Sequence, residues 1–303
     1  MTTPARPKIL VLGSLNLDLV LQVPRLPEAG ETLASESSAS HCGGKGANQA
    51  VACARLGASV SMIGRIGADP AGAMLRDALA AAGIGLDGVL TTPDAASGTA
   101  VILLTPDGQN RIVLAPGANA RLNESDVAAQ AERFAIADLL LCQLEVPFET
   151  VAAAVARAAA SRLPVLLNPA PARALPPALL AQVDYLIPNE TEAALLTGLP
   201  VDGPESAGEA AAALRGQGAR TVIVTLGAAG ILIADARGTR HVPALPADVV
   251  DTTAAGDAFI GGFATGIGEG LDVDAAAALG QRAARLCVGR AGAQAALPYR
   301  REL

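Results

Sequence analysis

Short apolar runs, each closing on a glycine or a polar residue, recur along this chain with helical patterns between most of them. The first spans residues 9–12 and ends at Gly13; others lie at 60–63, 139–144, 165–167, 185–187, 221–225 and 230–234. Continuous apolar runs of this length are how strands buried on both faces read, and strands alternating with helices imply βαβ units. Between the runs, Ala47, Ala50, Val51 and Ala54 share one helical face, and Val151, Val155 and Ala158 share another. The expected fold is therefore α/β, with a doubly wound, mainly parallel sheet. At 303 residues and 51% apolar composition, the chain can bury a large core as one domain over residues 1–303. With no Trp, two Tyr and four Phe, that core is built from Ala, Leu and Val and packs its helices closely on the sheet.

Two stretches break the alternation. Residues 20–41 carry Pro24, Pro27 and Gly30 before a Ser-rich tract, and residues 98–116 read as a hairpin. Its arms, 101–104 and 111–114, flank the turn Pro106-Asp107-Gly108. Both stretches are assigned to a small β lid, discontinuous over about 16–42 and 98–117, beside the main domain.

The net charge of −7 is spread along the chain rather than blocked, which argues against a nucleic-acid or anionic-membrane surface. Cys42, Cys53, Cys142 and Cys287 have no paired metal spacing, and His41 and His241 have no ligand pattern around them; both histidines read as structural or surface residues. The first apolar run is too short for a signal peptide or a membrane span, and no later run is long enough. A cytoplasmic protein with reduced thiols is expected.

Two glycine-rich stretches carry the chemistry. In Asp251-Thr252-Thr253-Ala254-Ala255-Gly256-Asp257, small side chains leave backbone N–H groups open before an apolar, helix-permissive run from Ala258. Open N–H groups and the positive end of a helix form an anion hole, and Asp257 at its rim could meet a hydroxyl as a phosphoryl group arrives. The plainer reading is a helix cap with a carboxylate in the first turn. In His41-Cys42-Gly43-Gly44-Lys45-Gly46-Ala47-Asn48, Lys45 is one of two lysines in the chain, a compact charge held in a glycine loop. A Walker A loop is excluded because Gly46 stands where Ser or Thr would follow the lysine, and Gly13-Ser14-Leu15-Asn16 lacks the spaced glycines of a dinucleotide fingerprint. Further polar residues follow the strand runs: Asn16 and Asp18, Glu145, Asn168, Asn189 and Glu192, and Thr225-Leu226-Gly227. Ligands of open α/β sheets bind beyond the carboxyl ends of the strands, although single polar residues there often only cap helices.

These stretches resemble the two signature motifs of the ribokinase-like (PfkB) family of sugar kinases: Gly43 to Asn48 and Asp251 to Asp257. Gly13-Ser14-Leu15-Asn16-Leu17-Asp18, Gln143-Leu144-Glu145, Asn168-Pro169-Ala170-Pro171-Ala172-Arg173, Pro188-Asn189-Glu190-Thr191-Glu192 and Thr225-Leu226-Gly227 extend the likeness over nearly the whole chain. The resemblance implies ATP-dependent transfer of the γ-phosphoryl group to the 5-hydroxyl of D-ribose, with Mg²⁺. It implies Asp257 as catalytic base and Ala254, Ala255 and Gly256 as anion hole. Asn16, Asp18, Gly43, Gly44, Lys45, Asn48 and Glu145 would hold the sugar. Asn189, Thr225, Leu226, Gly227, Ala228, Ala229, Gly230, Gly256 and Gln281 would serve ATP, with Asn189 and Glu192 organising Mg²⁺ through its waters. A K⁺ loop would draw on Asp251, Thr253, Cys287, Arg290, Gly292 and Ala296, and the lid would pair two subunits as a homodimer.

The sequence departs from the family at Ala296, where relatives often carry a hydroxyl, and at Ala254, where many carry glycine. A nucleoside kinase would want an aromatic or apolar wall for the base, and a sugar-phosphate kinase a further basic cluster; neither is visible. A catalytically silent regulator would typically have lost the base or the anion hole, and Asp257 and Gly256 are both present.

Overall fold

In the computed structural model, which describes residues 6–107 and 109–303, the apolar runs are strands of one nine-stranded sheet. In chain order the strands are β1 (Lys8–Leu12), β2 (Asn16–Gln22), β3 (Ser37–Gly43), β4 (Ser59–Gly67), β5 (Gly85–Thr92), β6 (Gly98–Leu104) and β7 (Asn110–Ala115). They continue with β8 (Leu139–Cys142), β9 (Val165–Leu167), β10 (Tyr185–Leu186), β11 (Thr221–Thr225), β12 (Ile231–Asp235) and β13 (Gly238–Val242). The large sheet runs β13-β12-β11-β10-β9-β8-β1-β4-β5. Its pairs from β11 through β10, β9, β8, β1 and β4 to β5 are parallel, while β12 and β13 are added antiparallel at one edge.

The chain winds outward from β1 in both directions, so the strand order reverses between β1 and β8. Such a switch point opens a crevice beyond the strand ends, where a ligand can enter. Side chains alternate along β1: Ile9 and Val11 join one buried cluster, and Leu10 and Leu12 join the other. Helices Lys45–Arg55, Ala255–Gly268 and Val273–Val288 cover the first face, and helices Phe148–Ala160 and Pro204–Gly216 the second.

A second sheet, β3-β2-β6-β7, is formed by the two irregular stretches. β2 pairs antiparallel with β3 and parallel with β6, and β6 pairs antiparallel with β7, with Val101 opposite Val113. This sheet begins at Asn16, only four residues after β1 ends at Leu12, so it stands directly beside the switch point. Residues 1–5 of the expected domain and Gly108 of the expected turn lie outside the described residues.

Several boundaries differ from the sequence pattern. β8 stops at Cys142 and β10 at Leu186, because the chain turns there into loops at the strand ends. β5 and β13 were not visible as apolar runs: β5 reads Gly-Leu-Asp-Gly-Val-Leu-Thr-Thr, and β13 is a largely exposed edge strand. The helix expected from Ala258 starts at Ala255, which puts Asp257 inside its first turn. Among the described residues no helix is long and apolar enough to cross a membrane.

Candidate active site

Glycines set how closely the first motif approaches the sheet. Gly44 caps helix Lys45–Arg55 with φ 88°, a left-handed conformation that a side chain would strain. A Cβ on Gly46 would lie 2.5 Å from the Ser14 nitrogen and 2.6 Å from the Gly13 carbonyl carbon, so the helix start rests on backbone at the end of β1. The Ala47 N–H donates to the Ser14 carbonyl at 2.9 Å, which fixes the approach.

The same helix then packs against helix Ala255–Gly268. Gly261 has no Cβ where Ala52 comes against it, and the Cys53 thiol donates to the Gly261 carbonyl at 3.6 Å. One helical turn earlier on each partner stand Asn48 and Asp257, and residues four apart share a face. Asn48 Nδ2 donates to Asp257 Oδ2 at 3.0 Å, and Gln49 Nε2 donates to Asp257 Oδ1 at 2.9 Å. Asp257 is 8% exposed. Burial pushes its carboxyl above the ordinary range, against the pull of Lys45 and the two amides, and Glu145 pushes it further up.

Ala254 caps the Asp257 helix in the left-handed region, φ 58° and ψ 11°. A non-glycine residue there stores about 1–2 kcal/mol. The anion hole expected at 254–256 is modified in one respect. The Ala255 N–H donates to the Thr252 carbonyl at 3.2 Å and is engaged in the turn. The N–H groups of Gly256 and Asp257 donate to no acceptor among the described residues, and they stand at the positive end of the helix.

A polar cavity of about 210 Å³ lies in front of these groups. Lys45, Asn168, Asn189, Glu192, Thr225, Ala254, Gly256 and Asp257 line it, with Ala170, Ile187 and Ile260 as its apolar part. Asn189 and Glu192 form a reciprocal cap on helix Glu190–Thr197: Asn189 N–H to Glu192 Oε2 at 2.9 Å, and Glu192 N–H to Asn189 Oδ1 at 2.8 Å. The plain capping role is therefore filled, yet Glu192 Oε1 has no partner among the described residues. Burial raises the Glu192 carboxyl, against the Asn189 hydrogen bond and Lys45.

On the side of the second sheet, Asn16 opens β2 and is buried. Its Oδ1 accepts from Asn119 Nδ2 at 2.8 Å, and Asn119 also clasps both backbone groups of Leu15. Gly43 sits opposite Asn16 in the β2–β3 ladder, and the Asp18 carboxylate occupies the space a Cβ there would take. Burial first, then Glu145 and Asp257, push Asp18 up to about 7, while Lys45 acts in the opposite direction. Glu145 Oε2 accepts from the Ser14 hydroxyl at 2.6 Å and from the Lys45 N–H at 3.1 Å. Lys45 thus stands in the field of Asp257, Glu145, Glu192 and Asp18, which together hold its ammonium above the usual lysine range despite burial.

The remaining candidates lie apart from the cavity. Gly227, Ala228 and Ala229 form an exposed 3₁₀ turn after β11, and the Leu226 N–H closes it on the Gly230 carbonyl at 2.8 Å. Gln281 is buried and donates to the Pro243 carbonyl at 3.0 Å. His41 is exposed on β3, and a His241 ring nitrogen lies 2.6 Å from the Ala229 carbonyl.

Asp251 Oδ1 accepts from the Thr253 N–H and Oδ2 from the Gly292 N–H, both at 2.8 Å. Burial raises its pKa, but the hydrogen bonds from Thr253 and Gly292 outweigh it and hold the carboxyl below the usual range. The Cys287 thiol, pushed up to about 11 by burial and by Asp257 and Asp251, faces the Thr253 carbonyl at 3.6 Å. Arg290 pairs with Glu302 at 2.7 Å, and Ala296 is fully buried in the core. No cluster of three or more His, Cys, Asp or Glu that could hold a metal occurs among the described residues.

Residues 6–300 match the family model described as pfkB family carbohydrate kinase. The chain belongs to that family. Within this carbohydrate kinase family it is 42% identical over 297 residues to a ribokinase of Haemophilus influenzae, covering 98% of this chain and 97% of that protein. A deoxyribokinase of Salmonella typhi is 38% identical over 291 residues, covering 96% and 95%. The structure of an Arabidopsis thaliana ribokinase complexed with ribose and ATP superposes with a TM-score of 0.92 at 34% identity, covering 98% of this chain and 97% of that one.

Three positions around Asp257 carry roles that the sequence reading did not assign. Gln49 holds the carboxylate, Ser14 holds Glu145, and Asn119 holds Asn16. For Gln49 a signal was present: it stands four residues after Lys45, on the same helix face, among buried Ala47, Ala50 and Val51.

Proposed function

We propose that this carbohydrate kinase transfers the γ-phosphoryl group of ATP to the 5-hydroxyl of D-ribose. The observation that carries the reading is the buried Asp257 carboxylate in the same helical turn as the open N–H groups of Gly256 and Asp257, at the wall of one polar cavity. Phosphoryl transfer asks a protein chiefly for alignment and charge stabilisation. A cavity of about 210 Å³ is smaller than a typical ligand pocket of about 300–1,000 Å³, and it suits the junction of two substrates rather than either one whole.

In this reading Asn16, Asp18, Asn48 and Glu145 bind the sugar hydroxyls, and Gly43 and Gly44 let backbone lie close to the ring. Asn48 Oδ1 is buried and unpartnered, which leaves it free to accept from a hydroxyl. Asp257 accepts the hydroxyl proton as the new bond forms; a carboxyl raised by burial is a stronger base than an exposed one. The Gly256 N–H and the helix dipole, with the Lys45 ammonium opposite, stabilise the charge on the phosphoryl oxygens. ATP extends from this point past Asn189 and Thr225 toward the turn 226–230 and Gln281.

Mg²⁺, bound with ATP, would supply charge neutralisation at the phosphates; the free Glu192 oxygen at the cavity wall fits a role in holding its waters. K⁺ fits the loop of Asp251, Thr253, Cys287, Arg290, Gly292 and Ala296, because Asp251 is held charged yet makes no ion pair among the described residues. We read the whole chain as one catalytic domain with the second sheet as its lid. β7 presents Ile112 and Val113, 58% and 68% exposed, as the surface of a homodimer. Four unpaired cysteines support a reducing, cytoplasmic setting.

A coupled ADP-release assay over D-ribose, 2-deoxyribose, other pentoses, hexoses and nucleosides tests the reading. Turnover greatest with D-ribose is expected. Preference for 2-deoxyribose would move the chain toward the deoxyribokinase relative, and turnover only on nucleosides would overturn the assignment.

A further inference from the structure

The Asp257 carboxylate is held on both sides, and the two holders differ. Asn48 reaches Oδ2 with an amide whose oxygen is left open. Gln49 reaches Oδ1 with an amide that is itself fixed. Its Oε1 accepts from Gln143 Nε2 at 2.6 Å, and its Nε2 donates to Asn168 Oδ1 at 3.1 Å as well as to Asp257. Asn168 is fixed in turn by donating to the Ile187 carbonyl at 2.9 Å. Gln49 and Gln143 are fully buried, so no water competes for these bonds. A chain of amides from β8 through the Lys45 helix therefore ends on one carboxylate oxygen.

We propose that Gln49 is a positioning residue for Asp257, with Asn168 and Gln143 together fixing the orientation of the Gln49 amide so that it presents N–H to the carboxylate. The inference rests on the reading of Asp257 as the base. An amide turned the other way would set oxygen against oxygen. Asn168, anchored on the Ile187 carbonyl, prevents that by taking the Gln49 donor, and Gln143 adds to it by giving its own donor to the Gln49 oxygen. A donor on Oδ1 also favours the charged carboxylate, while Asn48 leaves that task shared. The charged and titrating groups that face Asp257 are Lys45 on the helix of Gln49, Glu145 after β8, Asp18 on β2, Glu192 on its capped helix and Cys287 on helix Val273–Val288. None of them is the partner of Oδ1.

The test uses Gln49→Met, which keeps length without a donor, and Gln49→Glu, which sets a second carboxylate beside the first. Both are expected to lower kcat at neutral pH by about 10-fold or more, while KM for the sugar and ATP stays within about 3-fold, since misplacing a reacting group acts on the chemical step. The acid limb of the kcat profile should move to higher pH in both, and further in Gln49→Glu, because a like charge opposes ionisation. Carbon-13 carboxyl titration of Asp257 in the substrate-free protein reads the same shift without turnover. If wild type fails to phosphorylate ribose, the proposed reaction falls, while this titration still decides the role of Gln49. Gln143→Met, which leaves the Gln49 donor in place but held by Asn168 alone, should give a smaller loss in the same direction and little extra loss on top of Gln49→Met. That variant decides the matter should the position-49 variants not fold. Folded variants with wild-type kcat, acid limb and Asp257 titration would overturn the proposal.

Discussion

Asn48 donates to Asp257 at 3.0 Å across 209 positions of sequence, and that bond ties the two glycine-rich motifs into one site. Neither motif makes the site alone. The first supplies donors on a helix docked against β1, and the second supplies a carboxylate and open N–H groups at another helix start. Their meeting depends on the close approach of Ala52 and Gly261 one turn further along.

Asp257→Asn removes the base and keeps the shape. The variant is expected to bind ribose and ATP nearly as wild type while kcat falls by about 10²-fold or more, the range for an acid–base group. Calorimetry and the coupled assay measure the two quantities separately. More than half of wild-type turnover would reduce Asp257 to a helix cap.

Asp18 carries a pH signature as well as a binding role. Its carboxyl is raised from an ordinary value near 4 to about 7, so the folded protein binds a proton there that the unfolded chain has released. Stability from this group is full below about pH 4 and is lost as pH rises toward 7. Asp18→Asn is thus expected to raise Tm of the sugar-free protein at pH 7–8 and to leave it nearly unchanged at pH 4. The same variant should raise KM for ribose far more than KM for ATP. Equal effects on both substrates would place Asp18 outside the sugar site.

The Asp251 loop gives a third expectation. K⁺ should activate more than Na⁺, and Asp251→Asn should remove most of that response. Ala296→Ser adds a hydroxyl at a fully buried position and is expected to lower the K⁺ concentration for half-activation. A K⁺ titration in an assay free of Na⁺ and NH₄⁺ measures all three proteins. A flat wild-type curve would remove the cation from the mechanism, and identical half-activation in wild type and Ala296→Ser would show that position 296 contributes no ligand.

Gly46→Ala forces a methyl against the backbone of Gly13 and Ser14 at 2.5–2.8 Å. Backbone cannot step aside as a side chain would, so a loss of about 1–3 kcal/mol is expected by urea denaturation, with kcat reduced because Asn48 and Gln49 shift with the helix. Wild-type stability would mean that the helix start is looser than the contacts imply.

Much of this site was legible because its strands are buried on both faces. Runs such as 165–167 and 221–225 coincide with β9 and β11, and Asn168 after the first and Thr225 closing the second line the cavity. What escaped has physical reasons. β5 mixes two glycines and an aspartate into its ladder, so no apolar run marks it. Ala255 looked like a free donor because its small side chain says nothing about the Thr252 carbonyl behind it. Gln49, Ser14 and Asn119 act through hydrogen bonds to residues about 100 or more positions away, and no local pattern encodes such partners.

Backbone lies directly against backbone where Gly46 meets Gly13 and Ser14. The helix start that carries Lys45, Asn48 and Gln49 therefore has no room to shift at Gly46. A lineage drifting toward a different sugar, or a laboratory selecting for one, has to write the change on the facing wall instead. That wall is β2, β3 and β6, where His41 and Ala100 stand opposite Asp18 in the two ladders and so share its face. On the proposed reading, changes of acceptor are expected on that sheet, while the Lys45 helix keeps its place against β1.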